Sequence, residues 1–387
     1  MMRFQPMFTA AAGRFIALLC MLLAWIPSAI SATNAPDPVL KLTNQWALQI
    51  ESWSDSSVAM ASDGTLYVGA FNGNLHAITP EGKLIWKFTA RNEIYGAPAV
   101  ARDGTIYFGS RDRHLHALSP DGTRKWSFRT GAWVDSSPAI ASDGTVVFGS
   151  WDKKVYALRP DGSKKWEFET KAAVATSPVI DLQGRIYLGN HEGRFYALSP
   201  EGAKVWEYPC GPVISSAALT RAGMIYFTSS DGYLHALDSD GKRQWRLHTG
   251  GTTASSPIVA LDGRIYVGVN SALWAISPEG KELWRRMDND PVTATPIAFA
   301  SREVGWISRY GLLMTIDPDH ALKSTFYLYV HGLASPVIDG NGIIYISGNY
   351  NEILGIETRQ RLATSDWPKV RGNYRNTGNL ADNSMLP

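Results

Sequence analysis

Cysteine is nearly absent: the 387 residues hold only Cys20 and Cys210. Cys20 lies inside an N-terminal apolar run, so the rest of the chain keeps one thiol. A disulfide framework needs pairs and is excluded; Cys210 is expected to be inert and buried. Charge of one sign is lacking too. Arg3 and Arg14 are the only charges in residues 1–32, and without them Lys and Arg balance the 35 Asp and Glu. Such a chain has no cationic stripe of the density that nucleic acid requires. Past residue 32 no long apolar run occurs. The run from Phe15 to Ile26 falls short of the ~20 residues that cross a bilayer as a helix. Pro27 breaks it, and small residues follow at Ala29-Ile30-Ser31-Ala32. This is the layout of an export signal over 1–32, with an uncleaved anchor as the alternative. Leu19 precedes Cys20 where a lipidation site carries a small residue, so no lipid anchor is expected. The expected location is exported, periplasmic or extracellular, with no membrane span once the signal is removed.

What the chain has is one stretch repeated. The clearest copy runs from Ser136 to Thr170, with turns at Ser142-Asp143-Gly144 and Pro160-Asp161-Gly162 and a tryptophan at Trp166. The first-turn glycine recurs at Gly64, Gly104, Gly144, Gly184, Gly223, Gly263 and Gly342, with Glu303 in the seventh place. The tryptophan recurs at Trp86, Trp126, Trp166, Trp206, Trp245 and Trp284. A period of ~40 residues marks a repeat architecture. Alternation and β-branched or aromatic residues, as in Thr105-Ile106-Tyr107-Phe108-Gly109, predict strands. Pro followed by Gly at the second turn predicts tight hairpins. Four strands per copy and eight copies predict an all-β, eight-bladed β-propeller with four-stranded blades. The last copy supplies three strands and stops, while Leu42 to Leu48 reads as an orphan fourth strand carrying Trp46. The N-terminal strand is therefore expected to close the ring, which removes open sheet edges. Copy seven lacks both turn glycines and the tryptophan and is expected to be bent or irregular.

The segment Ala157-Leu158-Arg159-Pro160-Asp161-Gly162-Ser163-Lys164-Lys165-Trp166 resembles the repeat of pyrroloquinoline-quinone (PQQ) type propellers, over about residues 41–380. The stretch from Asp366-Trp367-Pro368 to Asn376-Thr377-Gly378 resembles the Trp-Pro…Thr-Gly segment that accompanies such repeats. The expected organisation is a signal over 1–32, a linker over 33–40, the propeller over 41–358 and a tail over 359–387. The resemblance implies that each tryptophan docks its blade on the next. It covers quinone enzymes and non-catalytic outer-membrane-assembly propellers alike. This chain is closer to the latter, because it is short, lacks the adjacent cysteine pair and shows no match to the Ca²⁺ and base set of the former. No cofactor is expected, with PQQ and Ca²⁺ as the alternative.

Function must come from the site, not from the fold. His76, His116 and His235 share a column with Tyr156, Tyr196 and Trp274 on different blades, so shape fills it and no metal site is expected. The repeats also align themselves. The turns after strands one and three share one monotonous face, and the loops after strand two share the other face with the blade crossovers. There the copies differ. Blades one to three bring Trp53, Asp55, Glu93, Tyr95, Trp133 and Asp135 to this variable face, with Arg111 and Trp151 from adjoining loops. Aromatic platforms beside carboxylates suit a sugar, a cation or a peptide; the alternative is that the aromatics plug the channel. The leading expectation is a monomeric, non-catalytic scaffold that binds an envelope protein or glycan. A PQQ-dependent oxidoreductase and a polysaccharide-active enzyme using Asp55, Glu93 or Asp135 remain the other readings.

Overall fold

The computed structural model describes residues 45–384, apart from 252–254, 289, 329–333, 349–351, 359 and 374. The signal, the linker and the first residues of the orphan strand, Leu42 to Asn44, lie outside the described residues. Eight four-stranded antiparallel sheets follow one another in chain order. Blade three shows the plan: Ala139–Ile140 innermost, then Val146–Gly149, Lys154–Leu158 and the outer strand Lys164–Glu169. The eighth sheet takes its outer strand from the N-terminal side. Gln45–Gln49 pairs antiparallel with Glu352–Glu357, with Trp46 opposite Gly355, so the ring closes as expected.

The burial pattern explains the sequence pattern. The two middle strands of each blade are sandwiched between neighbouring blades, so Val146–Gly149 is buried at every position. Only the outer strands alternate, as in Lys164–Glu169, because one of their faces meets water. The repeat tryptophans hold the sandwich together. Trp126 Nε1 donates to the Pro160 carbonyl of the next blade at 2.8 Å. Its ring lies against Gly162, whose φ of 85° only glycine adopts without strain and whose added Cβ would stand 2.7 Å from the indole. The contact recurs at Trp46, Trp86, Trp166, Trp206 and Trp245. A second seam is a belt of hydroxyls ahead of the inner strands. Ala97 N–H donates to Ser137 Oγ, Ser137 to Ser177, Ser256 to Thr295, Thr295 to Ser335 and Ser335 back to Ser57.

Blade seven corrects the expectation of a bent copy. Ile297–Ala298, Val304–Ile307, Leu312–Ile316 and Leu322–Tyr327 form a regular sheet. Its turns after strands one and three are made without glycine: Arg302 and His320 take φ of 70° and 71°. Their N–H groups close the same turns, onto Phe299 and Asp317. His320 also stacks on Trp284 at 4.7 Å, where other blades place a glycine.

The tail is part of the ring. Arg375, Thr377, Gly378, Trp367 and Pro368 accept, through their carbonyls, the N–H groups of Val100, Ile140, Ile180, Val259 and Ala298 on five inner strands. Asn376 Nδ2 donates to Val58 O on a sixth blade. Trp367, Lys369, Arg371 and Asn376 are buried as a result. Lys369 Nζ donates to the carbonyls of Val370 and Asn373 and to Asn376 Oδ1. Burial, then the charge of Arg371, pushes its amine down to about 7. Arg371 donates to the carbonyls of Pro138 and Pro178.

Candidate functional site on the variable face

Backbone hydrogen bonds put the two variable columns side by side. In blades one to five and seven the carbonyl of a crossover residue accepts the N–H of a residue in the loop after strand two. Trp53 pairs with Phe71 in this way, Glu93 with Arg111, Trp133 with Trp151 and Ala173 with His191. The approach of the crossover is the reason strand two of blade three ends in glycine. A Cβ on Gly149 would stand 2.4 Å from Val174 Cγ1.

Side chains then join these loops into a ladder. Phe71 and Tyr95 stack at 5.2 Å with planes 9° apart. The Arg111 guanidinium lies between two rings, 4.7 Å from the Tyr95 centroid and 4.8 Å from that of Trp133. Trp133 meets Trp151 edge to face at 5.8 Å, and Trp151 meets His191 at 5.0 Å. One carboxylate locks the middle. Arg111 Nε and Nη2 donate to Asp135 Oδ1 and Oδ2 at 3.0 and 3.1 Å. Trp151 Nε1 donates to Oδ2 at 2.9 Å. Planar, bidentate pairing of this kind is strong and directional. The hydrogen bond to Asp135 raises the Arg111 guanidinium above its ordinary value. Burial, then the charge of Asp55, does the same to the Tyr95 hydroxyl.

The eight expected residues therefore do not act alike. Asp55, Tyr95, Arg111, Asp135 and Trp151 line a cavity of about 400 Å³ together with His191, and Val370 and Arg371 of the tail also border it. Trp53, Glu93 and Trp133 stand outside that lining. Trp53 and Trp133 are 59 % and 42 % exposed, so neither plugs the channel. Phe71 and His191 belong to the ladder as well and occupy the same column as Arg111 and Trp151, although they are not among the eight expected residues. Asp135 is not a free carboxylate for acid–base work, since both its oxygens are engaged. A larger cavity of about 560 Å³ opens at the seam of blades one and eight, beside scaffold turn residues such as Asp63, Gly64 and Asp339.

Of the remaining candidates, His76, His116 and His235 are buried. Burial lowers His76, and lowers His235 to about 4. His116 also has Asp112 and His114 of its own blade within 4.8 Å, a grouping that the column does not record. Cys210 is half-buried rather than buried, and burial pushes its thiol up to about 12, which keeps it protonated.

Comparison with known proteins agrees with this architecture. A crystal structure of BamB from Moraxella catarrhalis superposes with a TM-score of 0.69 at 16 % identity, covering 82 % of this chain and 97 % of that one. The computationally designed Ika8 protein superposes at 0.67 and 14 % identity, covering 80 % and 98 %. Likeness to a designed ring at such identity shows the fold alone. No curated protein sequence matches the chain. A family model described as outer membrane protein assembly factor BamB matches residues 40–197 and 152–305, more than half of the sequence, and the chain belongs to that family.

Proposed function

We propose that this protein is an exported, non-catalytic scaffold that holds a partner protein of the cell envelope on its variable face, over blades one to four. The observation that carries the reading is the Phe71–Tyr95–Arg111–Trp133–Trp151–His191 ladder. It is rigid, because Asp135 pins Arg111 and Trp151, and it still leaves the indoles of Trp53 and Trp133 to solvent. Preorganised aromatic surface of this type makes good binding anchors, since little side-chain entropy is lost on contact. Membership of a family described as an assembly factor supports a protein as the occupant. The exposed indoles suit a sugar face as well, and a glycan is the second reading.

The test is capture from an envelope fraction by wild type and by the Trp53→Ala plus Trp133→Ala variant. The variant is expected to lose the partner; equal capture would leave the ladder a structural feature only. A glycan array run with both proteins separates the second reading from the first. Adding PQQ and Ca²⁺ tests the enzymatic alternative, and quinone absorbance with dye reduction would contradict a non-catalytic role.

A further inference from the structure

Blade two differs from its neighbours in one chemical respect. In blades two, three and five the loop after strand two carries an aspartate that caps the crossover entering that blade. Asp112 accepts the N–H of Arg91, as Asp152 accepts that of Gly131 and Asp231 that of Gly211. Two positions further on the chain enters strand three, and two further still comes the buried aromatic column. Blade three fills these positions with Lys154 and Tyr156. Tyr156 donates to Asp152, and Lys154 turns away to Glu167. Blade two fills them with His114 and His116. Strand periodicity places i and i+2 on one side of the sheet, so both imidazoles face the carboxylate.

The three ligand atoms lie within 4.8 Å of one another, and His114 Nδ1 also lies 3.0 Å from the Asp112 backbone carbonyl. His116 Nε2 lies 3.0 Å from Asp112 Oδ2, and His114 Nδ1 lies 3.4 Å from Asp112 Oδ1. Tetrahedral zinc with bonds of about 2.0–2.1 Å sets its ligand atoms roughly 3.3 Å apart. Asp112 and His116 are walled in at 6 % and 5 % side-chain exposure, while His114 is 27 % exposed and gives access from solvent. Two imidazoles and one carboxylate are the donor set of borderline metals rather than of Ca²⁺ or Mg²⁺, which take oxygen. We propose that Asp112, His114 and His116 form a mononuclear site for a Zn²⁺-class cation at the variable-face end of blade two. Three protein ligands leave a coordination position for water. His116 Nδ1 is buried without a hydrogen-bond partner. A missing outer partner of this kind weakens metal affinity by about 10–100-fold, so binding is expected to be weaker than at a site whose outer shell is complete.

The internal repeat supplies the control. His116→Tyr reproduces the Asp152–Tyr156 pair of blade three, and His114→Lys reproduces Lys154, so both variants keep a side chain the fold already uses. Tag-free protein, dialysed against EDTA, is titrated with Zn²⁺ by calorimetry and with Co²⁺ by visible absorbance. The expected result is one Zn²⁺ per chain, a Co²⁺ spectrum of low coordination number, and a Zn²⁺-dependent rise in melting temperature. Each variant should melt like the metal-free wild type and bind at least about tenfold more weakly. Absence of binding to wild type overturns the assignment, and so does binding that both variants retain.

Discussion

Arg111 and Asp135 are the joint on which the rest of the variable face is mounted. The Asp135 side chain is 7 % exposed and that of Arg111 is 25 % exposed, so removing the cation strands a carboxylate in a poorly solvated place. Arg111→Met is therefore expected to cost about 3 kcal/mol in a urea titration. Trp53→Ala, at an exposed ring, should stay within about 0.5 kcal/mol of wild type; equal losses would contradict the division between scaffold and contact surface. His235 makes a second case. Burial lowers it from 6.5 to about 4 in the folded state. An unfolded chain then binds a proton that the folded chain refuses, so stability is full above pH 6.5 and falls as the pH drops from there to about 4. His235→Tyr should flatten that part of the stability–pH profile, and an unchanged slope would assign the acid sensitivity elsewhere. The columns that carry the ladder were legible because eight copies aligned themselves and exposed the positions that vary. Their pairing was not. That Arg111 spends its charge on Asp135 depends on a contact between neighbouring blades, which no column records.

At the scale of the element, the blade is a hairpin stack whose turns are fixed by neighbours as much as by their own residues. Gly162 shows both constraints, a φ of 85° and the Trp126 ring where a side chain would begin. Gly162→Ala is expected to cost at least about 1–2 kcal/mol from backbone conformation alone, with more from displacement of the indole. The measurement is chemical denaturation, and a neutral result would remove the indole–glycine contact from the account. Blade seven shows why the sequence misled there. A left-handed residue other than glycine persists where its surroundings hold it, and His320 stacks its ring on Trp284 there. The absence of the expected glycine was visible, but the replacement contact was not. The strands themselves, their order and the closure by Trp46 all followed from the period and from the β-branched and aromatic segments between the turns.

For the whole molecule, the feature that repeats could not reveal is the tail. It occurs once, so no internal comparison gave it a role beyond the family resemblance. Yet it accepts the N–H groups of five inner strands and donates to a sixth blade. Truncation after Thr358 is expected to accelerate hydrogen exchange at Val100, Ile140, Ile180, Val259 and Ala298 while sparing the middle strands. Uniform exchange changes would mean that the tail stabilises the ring only globally. With the tail against the inner strands and the hydroxyl belt joining the blades, the ring presents a rigid platform, and its unlike surface lies over blades one to four. That asymmetry is the central claim. It is tested most directly by site-specific photo-crosslinking in the intact cell envelope, with the probe at Trp133 on the variable face or at Asp121 on the opposite turn face. A partner crosslinked from position 133 and not from 121 is the predicted result. Crosslinks from 121 alone, or equal yield from both, would contradict it.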